Sequence, residues 1–219
     1  MDSLTRTQRR LADGRKQLID IAEQLLMERG TAAVSTEEVA KRADVALQTV
    51  YNRIGGKSAL VCAVAERAME ESRNYVDMAY ALEGTPRERA RLILDAYVRF
   101  ALDRPHQFRT LVTLTGEPES LSRIAAMTAE QNSKLATIIK DCVAEGLMSP
   151  DLDPMTTANA LWAMLNGILI LALRDDGMRP KSISAEALVQ TATRIMKLGT
   201  KARGNEATAT QQGYSSSTK

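Results

Sequence analysis

An all-α fold is predicted by three observations. Apolar residues recur at helical spacing in almost every segment. No run alternates apolar and polar residues as a half-buried strand would. Capping residues, glycines and prolines stand at the ends of the periodic stretches. With 219 residues, 44% hydrophobic and 26% charged, the chain has the composition of a soluble globular protein with room for one sizeable helical domain, or a small one joined to a larger one.

The elements follow in order. After a polar, basic arm, Asp13 is placed to cap a first helix running to about Arg29. Leu18, Ala22, Leu25 and Leu26 form its inner face and Gly30 its stop. Ser35 and Glu38 form an S-x-x-E capping box for a second helix ending near Ala43. A short turn, 44–46, leads to a third helix at 47–54, broken by Gly55 and Gly56. Lys57 starts a fourth that runs to about Leu82. Pro86 opens a helix ending near Asp103, Pro105 a shorter one to about Thr113, and a long helix follows that ends at Gly146. Asp153 and Pro154 fit an N-cap and first turn. The last helix covers about 184–198, and the Gly, Ser, Thr and Gln-rich residues beyond 200 are expected to be disordered.

Several function classes find no support in the residues. Cys62 and Cys142 are far apart and form no C-x-x-C pair, and with the single His106 they make no metal-ligand cluster. Two free thiols fit a reducing cytoplasm, and no metal or cofactor is expected. The net charge of +2 is too small to identify a partner. The N-terminus has no apolar stretch after its basic residues, unlike a secretory signal. The apolar run 160–173 is interrupted by Asn166 and Gly167 and falls short of the roughly 18 to 20 residues that cross a bilayer. It reads as a helix buried on nearly every side, in a soluble, cytoplasmic protein. No Ser-His-Asp set or glycine-rich phosphate loop points to catalysis.

The span from Ser35 to Leu60 carries the chemistry. Val39, Ala40, Ala43, Val45 and Val50 are small enough to let two short helices cross closely. The turn between them needs a residue near the left-handed region, and Asp44 tolerates that conformation better than most. This packing turns the third helix outward, where it can enter a major groove roughly 12 Å wide. Gln48 suits an adenine edge and Leu47 a thymine methyl, and Asn52 is counted with them among the DNA-contacting residues. Thr49, Tyr51, Lys57 and Thr36 offer donors to phosphates, and Arg53 suits either role. In the first 16 residues Arg6, Arg9, Arg10, Arg15 and Lys16 oppose only Asp2 and Asp13, an arm suited to the DNA backbone or a minor groove.

The pattern V-A-x-x-A-x-V-x-x-x-T-V-Y-x-x-I-x-x-K-x-x-L, from Val39 to Leu60, resembles the tetracycline-repressor (TetR) family of bacterial transcription regulators. Thr49, Tyr51 and Lys57 carry most of the match, which extends over about 18–64. Beyond it the helix order and the LWAMLNG of the penultimate helix agree. Asp44 stands where the family has glycine, Ala46 where it has a serine cap, and Ile54 where it has phenylalanine. The resemblance implies a repressor that binds a palindrome as a dimer and leaves it when a small molecule enters the C-terminal domain.

The expected organisation is therefore a three-helix helix-turn-helix domain within 1–60, a helical effector-binding and dimerisation bundle within 61–199, and a tail. Tyr75, Met78, Tyr97, Phe100, Phe108, Met127, Trp162 and Asn166 are the candidate pocket residues, which suggests a hydrophobic or aromatic effector. The last two helices carry more apolar surface than a monomer hides, and Ala160, Ala163 and Gly167 allow close helix approach. A homodimer would set two recognition helices about 34 to 36 Å apart on a duplex, or slightly further. Control by a protein partner, or a helical small-molecule carrier, remains the alternative.

Overall fold

The computed structural model describes residues 5–116 and 118–202. Residues 203–219 of the tail and 1–4 of the basic arm lie outside the described residues. Among the described residues nine α-helices follow in order. They are α1 Arg6–Arg29, α2 Thr36–Ala43, α3 Leu47–Arg53, α4 Lys57–Tyr80, α5 Pro86–Asp103, α6 Pro105–Val112, α7 Pro118–Ala144, α8 Pro154–Ala172 and α9 Ala185–Thr200. A 3-10 turn covers Thr31–Ala33, and one isolated bridge joins Met148 to Lys201. Two compact units divide the fold, one of residues 5–82 with 92–131, the other of 83–91 with 132–202.

The first helix starts earlier than Asp13. Thr5 caps it, its hydroxyl accepting from the Gln8 amide while the Gln8 side chain accepts from the Thr5 amide. This reciprocal box turns much of the expected arm into helix. Ser35 caps α2 by accepting from the Glu38 amide at 3.1 Å. The other half of the expected box is replaced, because the Glu38 carboxylate binds Arg29 at 2.9 Å and Arg42 at 3.4 Å. Arg42 also binds Glu28 at 2.8 Å, so α1 and α2 are tied by a small ionic network.

Asp44 closes α2 in the left-handed region, at φ 53° and ψ 49°. It is the one non-glycine residue with positive φ among the described residues. Beneath this turn lies the core of the first unit. Leu18, Ala22 and Leu25 of α1, Val39 of α2, Val50 of α3 and Leu60 of α4 meet there almost without exposure. Arg67 of α4 pairs with both Asp20 and Glu23 of α1, and Gln107 of α6 donates to Glu23 at 3.1 Å. Burial pushes the Cys62 and Cys142 thiols up, away from the reactive thiolate.

In the second unit Asp153 caps α8 through the Thr156 amide at 2.8 Å, and Ser184 caps α9 through the Ala187 amide at 3.1 Å. Ala136 and Ile139 of α7 pack on Ala158 of α8, and Arg89 binds Asp141 at 3.3 Å. Buried Asn132 donates to exposed Asn159 at 2.8 Å, an amide pair that periodicity alone did not reveal. The expectation that the apolar helix is buried on nearly every side is not met. Only 33% of its most apolar window is buried. Leu165, Leu169 and Ala172 face inward, while Ala160, Ala163, Met164, Gly167 and Leu171 lie exposed at helical spacing. At 19 residues α8 is, by length and composition, also long and apolar enough to cross a membrane, which the shorter run counted from Ala160 was not.

Left-handed backbone is easier for glycine than for any β-carbon-bearing residue, so Asp44→Gly should stabilise the fold by about 0.5 to 1 kcal/mol. Asp44→Val should destabilise it by about 1 to 2 kcal/mol. Urea unfolding of the three proteins checks both signs, and equal midpoints would contradict this account of the turn.

Candidate nucleic-acid interface

Seven residues, LQTVYNR, make α3. Val50 faces the core with no exposed surface, which by helical geometry turns Gln48 and Asn52, two positions away on either side, to the outer face. Leu47 is 40% exposed and Tyr51 46%, and Gln48 and Asn52 are exposed with them. Gln48 Nε2 donates to Asn52 Oδ1 at 2.8 Å, so the two amides stand side by side on the outer face. Their i, i+4 spacing was the signal for this contact. Thr49 and Arg53 are half-buried at the flanks. The helix carries no carboxylate, which leaves its outer face neutral to positive.

Thr36, read from sequence as a phosphate donor, is buried at 4% exposure. Its hydroxyl lies 3.4 Å from the Tyr51 hydroxyl and 3.2 Å from a Glu37 carboxylate oxygen. That geometry makes it a support for Tyr51 from the start of α2. The Tyr51 ring reaches Gly56, the residue before α4, where a Cβ would meet Cε1 at 4.0 Å. Lys57, exposed at the first turn of α4, places its Nζ 3.5 Å from the Ala32 carbonyl. Tyr51, Lys57 and the unsatisfied amides that open α4 are thus near neighbours, a donor set that suits an anion.

Three glutamates of α1 and α2 are held by hydrogen bonds. Hydrogen bonds from Arg42 hold the Glu28 carboxyl below the ordinary carboxylate range, and those from Arg29 do the same for Glu38. Glu37 is held low chiefly by its own backbone amide.

The residues expected to line a pocket are distributed unevenly. In the first unit Tyr75 meets Phe100 edge-on at 5.6 Å, and Tyr97 contacts Phe100 at 6.3 Å and Phe108 at 6.2 Å. Phe100 and Phe108 are fully buried, so they serve as core. Met127 packs beside Ala65, Met69 and Ile124, whereas Met78 is 75% exposed. Trp162, half-buried, and Asn166, buried, belong to the second unit. An open groove of about 240 Å³ in the first unit is lined by Glu70, Arg73, Asn74, Asp77, Arg123 and Met127. Of the expected residues it holds only Met127, and its other walls are charged or amide groups.

Two short helices joined through a left-handed residue, the second with one face in the core and the other in solvent, define a helix-turn-helix protein. Comparison with known proteins gives the family. Residues 18–64 match the family described as bacterial regulatory proteins, tetR family, and residues 90–196 match that described as tetracyclin repressor-like, C-terminal domain. The HTH-type transcriptional regulator BetI of Brucella anthropi is 26% identical over 192 residues, spanning 85% of this chain and 95% of the relative. A solved structure of a protein with unknown function from Rhodococcus sp. RHA1 shares the fold with a TM-score of 0.70 at 22% identity, over 85% of this chain and 95% of that one. The structure of AibR in complex with isovaleryl coenzyme A and operator DNA gives a TM-score of 0.62 at 20% identity, over 84% and 97%. The chain belongs to the tetR family of bacterial regulatory proteins and is a helix-turn-helix transcriptional regulator.

Ala46 leaves α3 without a side-chain cap, although its φ of −63° and ψ of 142° suit one. Ala46→Ser should therefore raise unfolding stability by about 0.5 to 1 kcal/mol. A serine variant with the melting profile of the parent would show that this helix gains nothing from a cap.

Proposed function

We propose that this regulator binds a palindromic operator as a homodimer, α3 entering the major groove, and releases it when a small apolar effector binds. The observation that carries the reading is the outer face of α3, free of carboxylates and presenting Leu47, Gln48, Tyr51 and Asn52 beside Lys57. Gln48 and Asn52 supply amide donors and acceptors matched to an adenine edge, and Leu47 an apolar contact for thymine. Tyr51, Lys57 and Thr49 donate to phosphates, Thr36 steadies Tyr51, and Arg53 reaches the backbone at the end of the helix. Residues up to about 60 do this work, and those from 61 to 199 dimerise and receive the effector.

The dimer reading rests on unpartnered apolar surface. No residue of α9 is buried, and Ile195 and Leu198 are each 64% exposed. With Met164 and Leu171 of α8 they form faces that a second copy of the same helices would cover. Tyr75 and Tyr97, half-buried and resting on the core rings of Phe100 and Phe108, support an effector with an apolar body. AibR, of the same fold, is known with both isovaleryl coenzyme A and operator DNA, a combination that fits effector control. Release then needs only a ligand that prefers the state with the recognition helices wrongly spaced.

Tyr51→Ala and Lys57→Ala should each weaken operator binding about tenfold or more while the protein stays folded and dimeric. Gel-shift titration with light scattering checks this, and unchanged affinity in both variants would sink the reading. Ile195→Glu with Leu198→Glu should give a monomer that no longer holds the operator. A double variant that remains dimeric would place the interface elsewhere. Thermal shift against a compound library tests effector control, since a ligand raises the melting temperature of the state it binds. Failure of every compound would favour control by a protein partner.

A further inference from the structure

Gly14 stands inside α1, where glycine weakens a helix. Its φ is not positive, so no special backbone conformation calls for it. The missing side chain makes room for Arg53. A Cβ at position 14 would lie 2.7 Å from Cζ of Arg53, 3.3 Å from Nη2 and closer still to Nη1. The guanidinium leaving the last turn of α3 is therefore seated against the backbone of α1.

That seat has neighbours of the same charge. Arg6, Arg10 and Gly14 recur every four residues and share one stripe of α1, about 12 Å long. Arg6 and Arg10 are exposed, and neither they nor Arg53 forms an ion pair with a described residue. Arg53 fills the cationic place in this row that Gly14 leaves open. We infer that Gly14 is a positioning residue, a notch that joins Arg53 of α3 to Arg10 and Arg6 of α1 in one cationic ridge following the phosphates beside the groove. The inference rests on the reading of α3 as the DNA-contacting helix. Such a ridge contributes affinity and salt dependence without base specificity.

The substitution Gly14→Ala separates this role from a structural one, because alanine strengthens the helix while displacing the guanidinium. The probe is a duplex enriched by the wild-type dimer from a random-sequence pool, titrated between about 50 and 200 mM salt. Gly14→Ala should melt at or above the wild-type temperature yet bind about threefold or more weakly, its salt slope shallower by about 1 per half-site. Arg53→Ala should show the same loss, and the double variant should be no worse than Arg53→Ala, as coupled positions require. Wild-type affinity and slope for Gly14→Ala, or additive losses in the double variant, would overturn the ridge. If Tyr51→Ala and Lys57→Ala weaken binding about tenfold or more in the same assay, that failure belongs to the ridge alone. If they too bind normally, or no duplex is enriched, the reading of α3 falls with it.

Discussion

A helix of seven residues is too short to persist in water on its own, and α3 lacks even a side-chain cap. Its existence depends on being held, and Val50 and Asp44 do the holding. Val50 is wholly enclosed by α1, α2 and α4, a burial that stabilises by about 2 kcal/mol. Asp44 sets the angle at which the chain leaves α2. Because successive helical residues turn by a fixed angle, driving Val50 inward obliges Gln48 and Asn52, two positions away on either side, to face out, with Tyr51 at their flank. The proposed reading head is thus a consequence of one anchored valine and one left-handed turn.

Electrostatics around this head follow the same economy. Arginines of α1, α2 and α4 take up the nearby carboxylates: Arg29 and Arg42 hold Glu38, Arg42 holds Glu28, and Arg67 holds Asp20 and Glu23. The exposed ones among these pairs, those of Arg29 and Arg42, add little stability each. Their larger effect is to keep negative charge bound to the scaffold while the outer surface of α3 carries none. Glu23 also accepts from Gln107, so α1 is tied to α4 and α6 by polar contacts as well as by core packing.

The second unit shows what a single chain leaves unfinished. Its helices are well capped, and the Asn132–Asn159 pair satisfies two amides within it. Yet α9 buries nothing completely and α8 keeps a stripe of small and apolar residues in solvent. A soluble chain rarely leaves such faces bare. This explains why α8 reads from composition alone as both a core helix and a membrane-length one.

Sequence by itself determined the all-helical class, the order of the helices and most of their ends, because periodicity and capping act over a few neighbouring residues. The left-handed Asp44, the stop at Gly30 and the caps at Ser35 and Asp153 were all legible this way. The early start of α1 was legible in principle from Thr5 and Gln8, and the basic arm obscured it. Only the tertiary structure decided that Thr36 is buried against Tyr51, that Phe100 and Phe108 are core, and that Arg53 lies on Gly14. Those facts join residues distant in the chain, and such contacts arise from how whole helices pack, which local spacing does not encode.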